Sequence, residues 1–522
     1  MNVQMKWKRQ WFKLVLAVAI TLPVFSFGTT PQVHAEGPSD PAPYINAKGT
    51  PNGKKVLFDN AHAQTAGAAD WVIDGGFSDF ANGIANKGYD VKELRKSTAI
   101  TYNDIKDYDV FVIPEANVPF KTSEQAALLQ YVQGGGSIFF VSDHYNADRN
   151  KNRWDASEVF NGYRRGAWNN PAQGMSAEEA NSAAMQGVAS SDWLSDNFGV
   201  RLRYNALGDV NATQIVPSSQ SFGITNQVSS VAMHAGSTIA ITNPNIAKGL
   251  VYLPSLSNSQ KWPNAVDQGV YNGGGVAEGA YVTISKVGQG KAAVIGDSSP
   301  VEDASPKYKR EENGQTKKTY DGYKEQDDAV LLMNVIDWLA NKETYTSFTQ
   351  VPGFQLDTAT SLHAFETPAN STEPQAEPWS APAAGYKWWD ATTFKTGSYG
   401  ATGNNGGEVP VGTPSMTHPA TVQAGVPFDV TITVTGLAPN SSITLQTGVY
   451  LVGGVQVGQV QNADGSWPSG YGYTARTFTA DSSGNVSQII KVRTQSGKTG
   501  AASIRLRKDS SKVYQTDAIT IN

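Results

Sequence analysis

With 522 residues, no cysteine and a formal charge of −5, the chain has room for two or three domains but no disulfide to staple them, so cores and bound ions must stabilise it. The negative balance also excludes recruitment of nucleic acid by bulk charge, leaving only local contacts for a polyanion. Lys6, Lys8, Arg9 and Lys13 precede an apolar run from Leu14 to Phe27, and Val33-His34-Ala35 stands before Glu36. That pattern predicts a signal peptide over 1–35 and a secreted, extracellular protein. Because the run is shorter than the ~20 residues that span a bilayer, no stable membrane insertion is expected. Loss of those four cations takes the mature chain to about −9.

A proline-rich leader over 36–53 gives way to alternating strand and helix patterns from 54. Lys55 to Phe58, Val91 to Leu94, Val110 to Ile113 and Ser137 to Val141 read as strands, the last as the continuous apolar kind covered on both faces. Trp71 to Lys87 has helical spacing. A second helix begins near Thr122 or Ser123, with Thr122 and Gln125 at capping-box distance, and stops at Gly134-Gly135-Gly136. Residues 145–275 break the rhythm and read as a long insertion with one helix from Ser191 to Phe198 and short strands near 214–216 and 238–240. A hairpin over 280–296 and a helix capped by Asp327 or Asp328 close the domain at 342. The expectation is an α/β fold with a doubly wound, mostly parallel sheet.

Residues 343–412 read as a linker, with Trp388-Trp389 packing onto a neighbour. From 413 to 522, apolar residues alternate with polar ones, as in Phe428, Val430, Ile432 and Val434, and predict an all-β Ig-like sandwich.

In open α/β sheets the chemistry gathers at the carboxyl ends of the strands. Asp59 and His62 follow the first strand, Glu115 the third, Asp143 and His144 the fourth, and Asp297 the last core strand. Carboxylates converging on one crevice repel unless a cation or shared proton offsets them, and imidazole with carboxylate suits a divalent ion such as Zn, Mn, Mg or Ca. Asp59, His62, Asp143, His144 and Asp297 are therefore the expected metal ligands, with Asp148 and Glu302 outside them. His144, Asp143, His62 and Glu115 are the expected catalytic groups. His234 reads as a structural histidine of the insertion. The loop after His144 carries Asn146, Arg149, Lys151, Arg153, Arg164 and Arg165, a set that predicts contacts to an anionic substrate, with Trp154, Tyr163 and Trp168 available for stacking.

Two stretches, Gly134-Gly135-Gly136-Ser137-Ile138-Phe139-Phe140 and Gly288 to Gly296 followed by Asp297-Ser298-Ser299 and the helix ending Asn334-Val335-Ile336-Asp337-Trp338-Leu339, resemble the glutamine-amidotransferase-like superfamily. The likeness covers roughly 54–342 and is to its non-amidotransferase branches, related to gliding-motility and intraflagellar-transport proteins. It implies a flavodoxin-like sheet and, in some branches, sugar binding. It implies no amidotransferase activity, because the nucleophilic cysteine is missing, and Val141-Ser142-Asp143-His144 lacks the glycines of a serine elbow. The segment from Ser142 to Trp168 is also similar to secreted bacterial proteins labelled as nucleases or DNA-binding proteins. The leading expectation is thus a metal-dependent phosphoesterase or nuclease acting on extracellular DNA, RNA or another phosphate ester. The alternatives are a non-catalytic carbohydrate-binding protein, with a glycan contact through the C-terminal domain, and a metal-dependent hydrolase of glycan or amide bonds.

Overall fold

The computed structural model describes residues 36–262, 269–372, 382–402, 412–437, 442–462, 464–481, 483–508 and 513–522; the predicted signal peptide lies outside them. Strands and helices alternate through the first part: β1 (Tyr44–Ile45), β2 (Lys55–Asn60), α1 (Ser78–Asn86), β3 (Asp90–Arg95), α2 (Tyr102–Ile105), β4 (Val110–Ile113), α3 (Thr122–Gln133) and β5 (Ser137–Val141). The predicted insertion supplies α4 (Ala156–Asn161), α5 (Ala177–Ala180), α6 (Trp193–Phe198), β6 (Val200–Leu202), β7 (Val210–Ala212), β8 (Gln214–Ile215), β9 (Val231–Met233), β10 (Ile239–Ile241) and β11 (Ala247–Tyr252). Then come α7 (Gly275–Glu278), β12 (Ala280–Val287), β13 (Gly290–Ile295) and α8 (Asp328–Ala340).

An 11-stranded sheet runs β1-β3-β2-β4-β5-β13-β12-β10-β6, with β11 on β12 and β8 on β11. Five strands, in the order β3-β2-β4-β5-β13, are parallel. Every other pairing in the sheet is antiparallel, so the sheet is mixed and not mostly parallel as the sequence suggested. The reason lies in the predicted insertion: β6, β8, β10 and β11 return to the sheet beyond the hairpin β12–β13 and extend it.

Both faces of the parallel part are covered. Val56, Phe58, Val110, Val112, Phe139 and Val141 pack with Phe80 and Ile84 of α1 and Leu331, Val335 and Ile336 of α8. Leu57, Phe111, Ile113, Ile138 and Phe140 pack on the other side with Leu128 and Val132 of α3 and with Phe160 and Trp193. Continuous apolar strands are what such double burial requires.

The helix predicted over Trp71–Lys87 begins only at Ser78. Asp70 holds the Gly76 amide at 3.0 Å and, through its other oxygen, the amides of Lys307 and Tyr308. A Cβ at Gly76 would collide with the Asp70 carbonyl, so this turn depends on glycine. Trp71, Val72 and Phe77 are buried as predicted, but as the wall of a turn. At α3 the box is Lys121 with Glu124, whose carboxylate accepts from the Lys121 amide at 2.8 Å, one register before the predicted one. Asp327 precedes α8 without capping it; its carboxylate binds Ser229 and Ser230 instead.

The stretch predicted as a linker packs back on the α/β part. Phe348 joins its core, the Glu366 carboxylate accepts two bonds from Arg203, and buried Trp388 donates its indole N–H to Glu179 at 2.9 Å. In the C-terminal region, Thr413–Thr417, Phe428–Thr435, Val486–Thr494 and Gly458–Val460 form one sheet. Thr421–Val422, Val513–Ile521, Gly500–Arg507, Ser442–Leu451 and Thr474–Thr479 form another. The alternating residues Val430, Ile432 and Val434 meet Leu445, Val449, Ile504 and Leu506 in a common core. Among the described residues, no helix is long and apolar enough to cross a membrane.

Candidate functional site

Parallel pairing carries the ends of β2, β4, β5 and β13 to one rim of the sheet. Val141 pairs with Ile295, so Asp143 and Asp297, each two residues further on, leave adjacent strands at the same level. The predicted residues divide there into two clusters.

The first is built on β2. The Asp59 carboxylate holds the Ala61 amide, the Gln64 side chain and His62 Nδ1, the last at 2.7 Å, while His62 Nε2 lies 3.2 Å from Glu124. Both ring nitrogens thus face carboxylates, and the imidazole carries both protons. Burial opposes that charge, yet Asp59 and Glu124 outweigh it and raise the His62 pKa to about 10. Glu124 is buried too, but His62 and the Lys121 and Ile100 amides lower it to about 2. Asp59 and His62 thus pair with each other and with Glu124, while Asp143 pairs with Arg149.

That salt-bridged histidine makes a pH prediction. Its contribution to stability is full below the unfolded value near 6.5 and fades as pH rises through about 10, whereas the Glu124 contribution is present above 4.5 and lost on acidification towards about 2. Replacing His62 with Gln is expected to flatten the alkaline limb of a stability curve measured by urea unfolding between pH 6 and 10. An unchanged limb would remove the imidazolium assignment.

The second cluster joins β4, β5 and β13. The Arg149 guanidinium donates Nε to Glu115 at 2.9 Å and Nη2 to Asp143. Asp143 also accepts the His144 amide at 2.6 Å. Asp297 accepts the amides of His234 and Ser299 at 2.5 and 2.9 Å, and Glu302 accepts the indole N–H of Trp71, the Ser298 hydroxyl and the Tyr320 amide. All four acids are buried. Burial and the neighbouring Asp143 raise Asp297 to about 7. Burial likewise pushes Glu115 well up against the pull of Arg149, and pushes Glu302 up. Glu115 Oε2 has no hydrogen-bond partner among the described residues.

His144 is the opposite of His62. Its Nδ1 donates to the Tyr145 carbonyl at 2.7 Å, its ring lies 4.5 Å from that of Trp262, and burial lowers its pKa. The ring is therefore neutral with Nε2 as the unprotonated nitrogen, the tautomer of a base or a ligand. The loop it opens is strained: Asn146, Lys151 and Arg153 all adopt left-handed backbone angles, with φ of 66°, 60° and 68°.

The loop cations have duties inside the chain. Arg149 is spent on Glu115 and Asp143, and Arg153 reaches Glu179 at 3.1 Å. Arg164 donates to the carbonyls of Pro171 and Gln173, and Arg165 lies over the rings of Tyr145, Tyr204 and Phe365. The Asn146 amide is held by Asp155, and Asp148 caps the turn at Asn152 and Arg153. Trp154 and Tyr163 are core residues, and Trp168 packs edge-on against Tyr163. The set predicted to grip an anionic substrate is here a scaffold for the loop.

Nor do the predicted ligands form one sphere. Among the described residues no group of three or more His, Asp or Glu side chains stands ready to hold a metal ion. The sequence placed His234 outside the strand-end set as a structural histidine; it follows β9 and brings its amide to Asp297, its Nε2 to Glu325 at 2.7 Å and its ring onto Tyr320. The apolar Val231-Ala232-Met233 before it was the available signal, since it makes His234 another strand-end residue.

No family model and no curated protein matches the chain. Among solved structures, the mmIFT52 N-terminal domain is similar at 11% identity and a TM-score of 0.34, over 56% of this chain and 99% of that one. A CARDB domain from Pyrococcus furiosus in complex with di-metal ions shares 12% identity over 22% of this chain and 90% of its own, with a TM-score of 0.15. A cohesin module from a family 33 glycoside hydrolase of Clostridium perfringens shares 12% over 22% of this chain and 98% of its own, at 0.14. Scores this low transfer neither fold nor activity.

Proposed function

We propose that the chain is a hydrolase working in the Glu115–Asp143–Asp297–Glu302 crevice, on an uncharged glycosidic or amide-type bond. The observation that carries this reading is the charge balance: of the four buried carboxylates at this rim, Glu115 and Asp143 share the Arg149 guanidinium, while Asp297 and Glu302 form no salt bridge among the described residues. Asp297 and Glu115 are pushed towards their protonated forms, so the cluster balances its charge with protons, which suits a neutral bond. Asp297, protonated up to about pH 7, is the proton donor; neutral His144 accepts a proton from water through Nε2; Asp143, fixed by Arg149, supports charge that develops on the substrate. Trp71 and Ser298 hold Glu302 in place beside them.

This assignment has a pH signature. kcat/KM is expected to fall as pH rises through about 7 and Asp297 loses its proton, and to fall again in acid as His144 gains one. The alkaline limb should be absent from the residual activity of Asp297→Asn, and its persistence would reassign the donor.

The same excess of acid favours a second reading, the metal-dependent phosphoesterase or nuclease. A divalent ion, whether Zn, Mn, Mg or Ca, would offset the carboxylates and make a phosphate tolerable. Calorimetric titration of the apo-protein with Mn and Zn separates the two, since the first reading expects no stoichiometric binding in the crevice.

The parallel strands, counted along the chain, stand in the order 2-1-3-4-5, which is the flavodoxin-like order and supports the resemblance to the amidotransferase-like superfamily. The paired C-terminal sheets support an Ig-like accessory module, and the residues before 36 support export of the mature protein.

A further inference from the structure

The C-terminal region differs in charge from the rest of the chain. Residues 413–522 hold eight Lys and Arg against five Asp and no Glu, although the whole chain is negative. In the strand Gly500–Arg507, Ala502, Ile504 and Leu506 enter the core, so the alternation turns Ser503, Arg505 and Arg507 to the outer face of the sheet. The neighbouring strand Ser442–Leu451 sets Tyr450, Gly448 and Gln446 opposite them, in that order.

Each guanidinium on this face is fixed twice. Arg505 lies 4.9 Å from the ring centroid of Tyr450 and donates Nε to Thr516 Oγ1 at 2.9 Å. Arg507 lies 3.4 Å from the ring centroid of Tyr473 and donates Nε to Gln446 Oε1 at 2.9 Å. Tyr473 in turn rests on Gly448, where any Cβ would collide with its ring. The arginines that serve the α/β part, Arg95, Arg149, Arg201 and Arg203, all grip carboxylates. Arg505 and Arg507 grip none among the described residues: a neutral acceptor anchors each through Nε, and the Nη donors of both forks are left for another molecule.

A planar fork held in place matches a carboxylate or another oxyanion, and its fixed rotamer lowers the entropy lost on docking. Two forks two residues apart on one strand stand about 7 Å apart at Cα, which suits anions repeated along a polymer. Tyr450 and Tyr473 are spent on holding the guanidiniums, so recognition falls to N–H donors and not to the stacking that single-stranded nucleic acid exploits. Beside the forks, the Ser503 hydroxyl and the Gln446 amide nitrogen suit hydroxyl groups, which a DNA backbone lacks.

We infer that this face binds an acidic polysaccharide. Uronate carboxylates dock on Arg505 and Arg507, and sugar hydroxyls meet Ser503 and Gln446. The inference stands on the C-terminal region alone and holds whichever bond the crevice cleaves.

Isothermal titration of the full chain with polygalacturonate tests it, with the fully methyl-esterified polymer and oligo(dT) as the other arms. Saturable binding of polygalacturonate that weakens with added salt is expected, with no binding of the methyl ester. Arg505→Gln and Arg507→Gln should each weaken it about tenfold, the scale of one charge-assisted contact. Ser503→Glu sets a carboxylate beside the forks without removing a ring contact, so it should weaken binding as much while leaving the thermal midpoint in place. Equal binding of ester and acid, preference for oligo(dT), or full affinity in Ser503→Glu would overturn the inference. The absence of binding at millimolar uronate would do the same.

Discussion

Replacing Arg203 with Met is expected to cost about 3–5 kcal/mol of stability. Arg203 is fully buried and all five of its N–H donors are engaged: Nε and Nη2 grip the Glu366 carboxylate at 2.8 and 2.7 Å, Nη1 reaches the carbonyls of Ala277 and Glu278, and Nη2 also reaches that of Ser361. Methionine fills the volume but leaves the buried Glu366 carboxylate without its cation and the Ser361 carbonyl without this donor, while the carbonyls of Ala277 and Glu278 keep Asn272 and Thr238; the uncompensated charge is what makes breaking such a pair expensive. The pair also ties the stretch around Glu366 to the edge of the sheet. Urea unfolding followed by tryptophan fluorescence measures the loss. The double replacement Arg203→Met with Glu366→Leu should recover much of it, because removing both charges removes the uncompensated one. A single replacement costing under about 1 kcal/mol would mean that the pair is solvated and does not hold this stretch.

The second large effect is on turnover. His144→Ala and Asp297→Asn are each expected to lower kcat by about 10²–10⁴-fold, the range for losing a positioned acid or base. Neither change removes a large apolar contact, so circular dichroism should report an intact fold. The two losses should combine to less than their product, since donor and acceptor act in one step. Full activity in either variant would move the chemistry elsewhere.

The parallel strands were legible because burial on both faces leaves continuous apolar runs, as in Val110 to Ile113 and Ser137 to Val141. Of the antiparallel extension, β8, β10 and the β12–β13 hairpin coincide with strands read from the sequence, but β6 and β11 and the pairing of all of them did not emerge, since strands of two or three residues give a periodicity no window to act in. Positions at the rim were legible for a topological reason: residues just past parallel strands must gather. Their duties were not. Asp59 and Asp143 look alike in sequence, yet one faces His62 and the other Arg149, and only the path of α3 and of the loop after His144 decides that. The same holds for Arg164 and Arg165, whose carbonyl and aromatic partners come from residues up to 200 positions away, Phe365 among them. The packing of Trp388 was foreseen as two aromatics on a neighbour; its bond to Glu179 was beyond the reach of composition.

The most direct test is a comparison of substrates under chelation. Purified protein is offered chromogenic glycosides and amides alongside bis(p-nitrophenyl) phosphate and plasmid DNA, each with and without excess chelator. Hydrolysis of an uncharged substrate that survives the chelator and is lost in Asp297→Asn is the expected result. Cleavage confined to the phosphate esters and abolished by the chelator would contradict a crevice balanced by protons and establish the metal-dependent reading in its place.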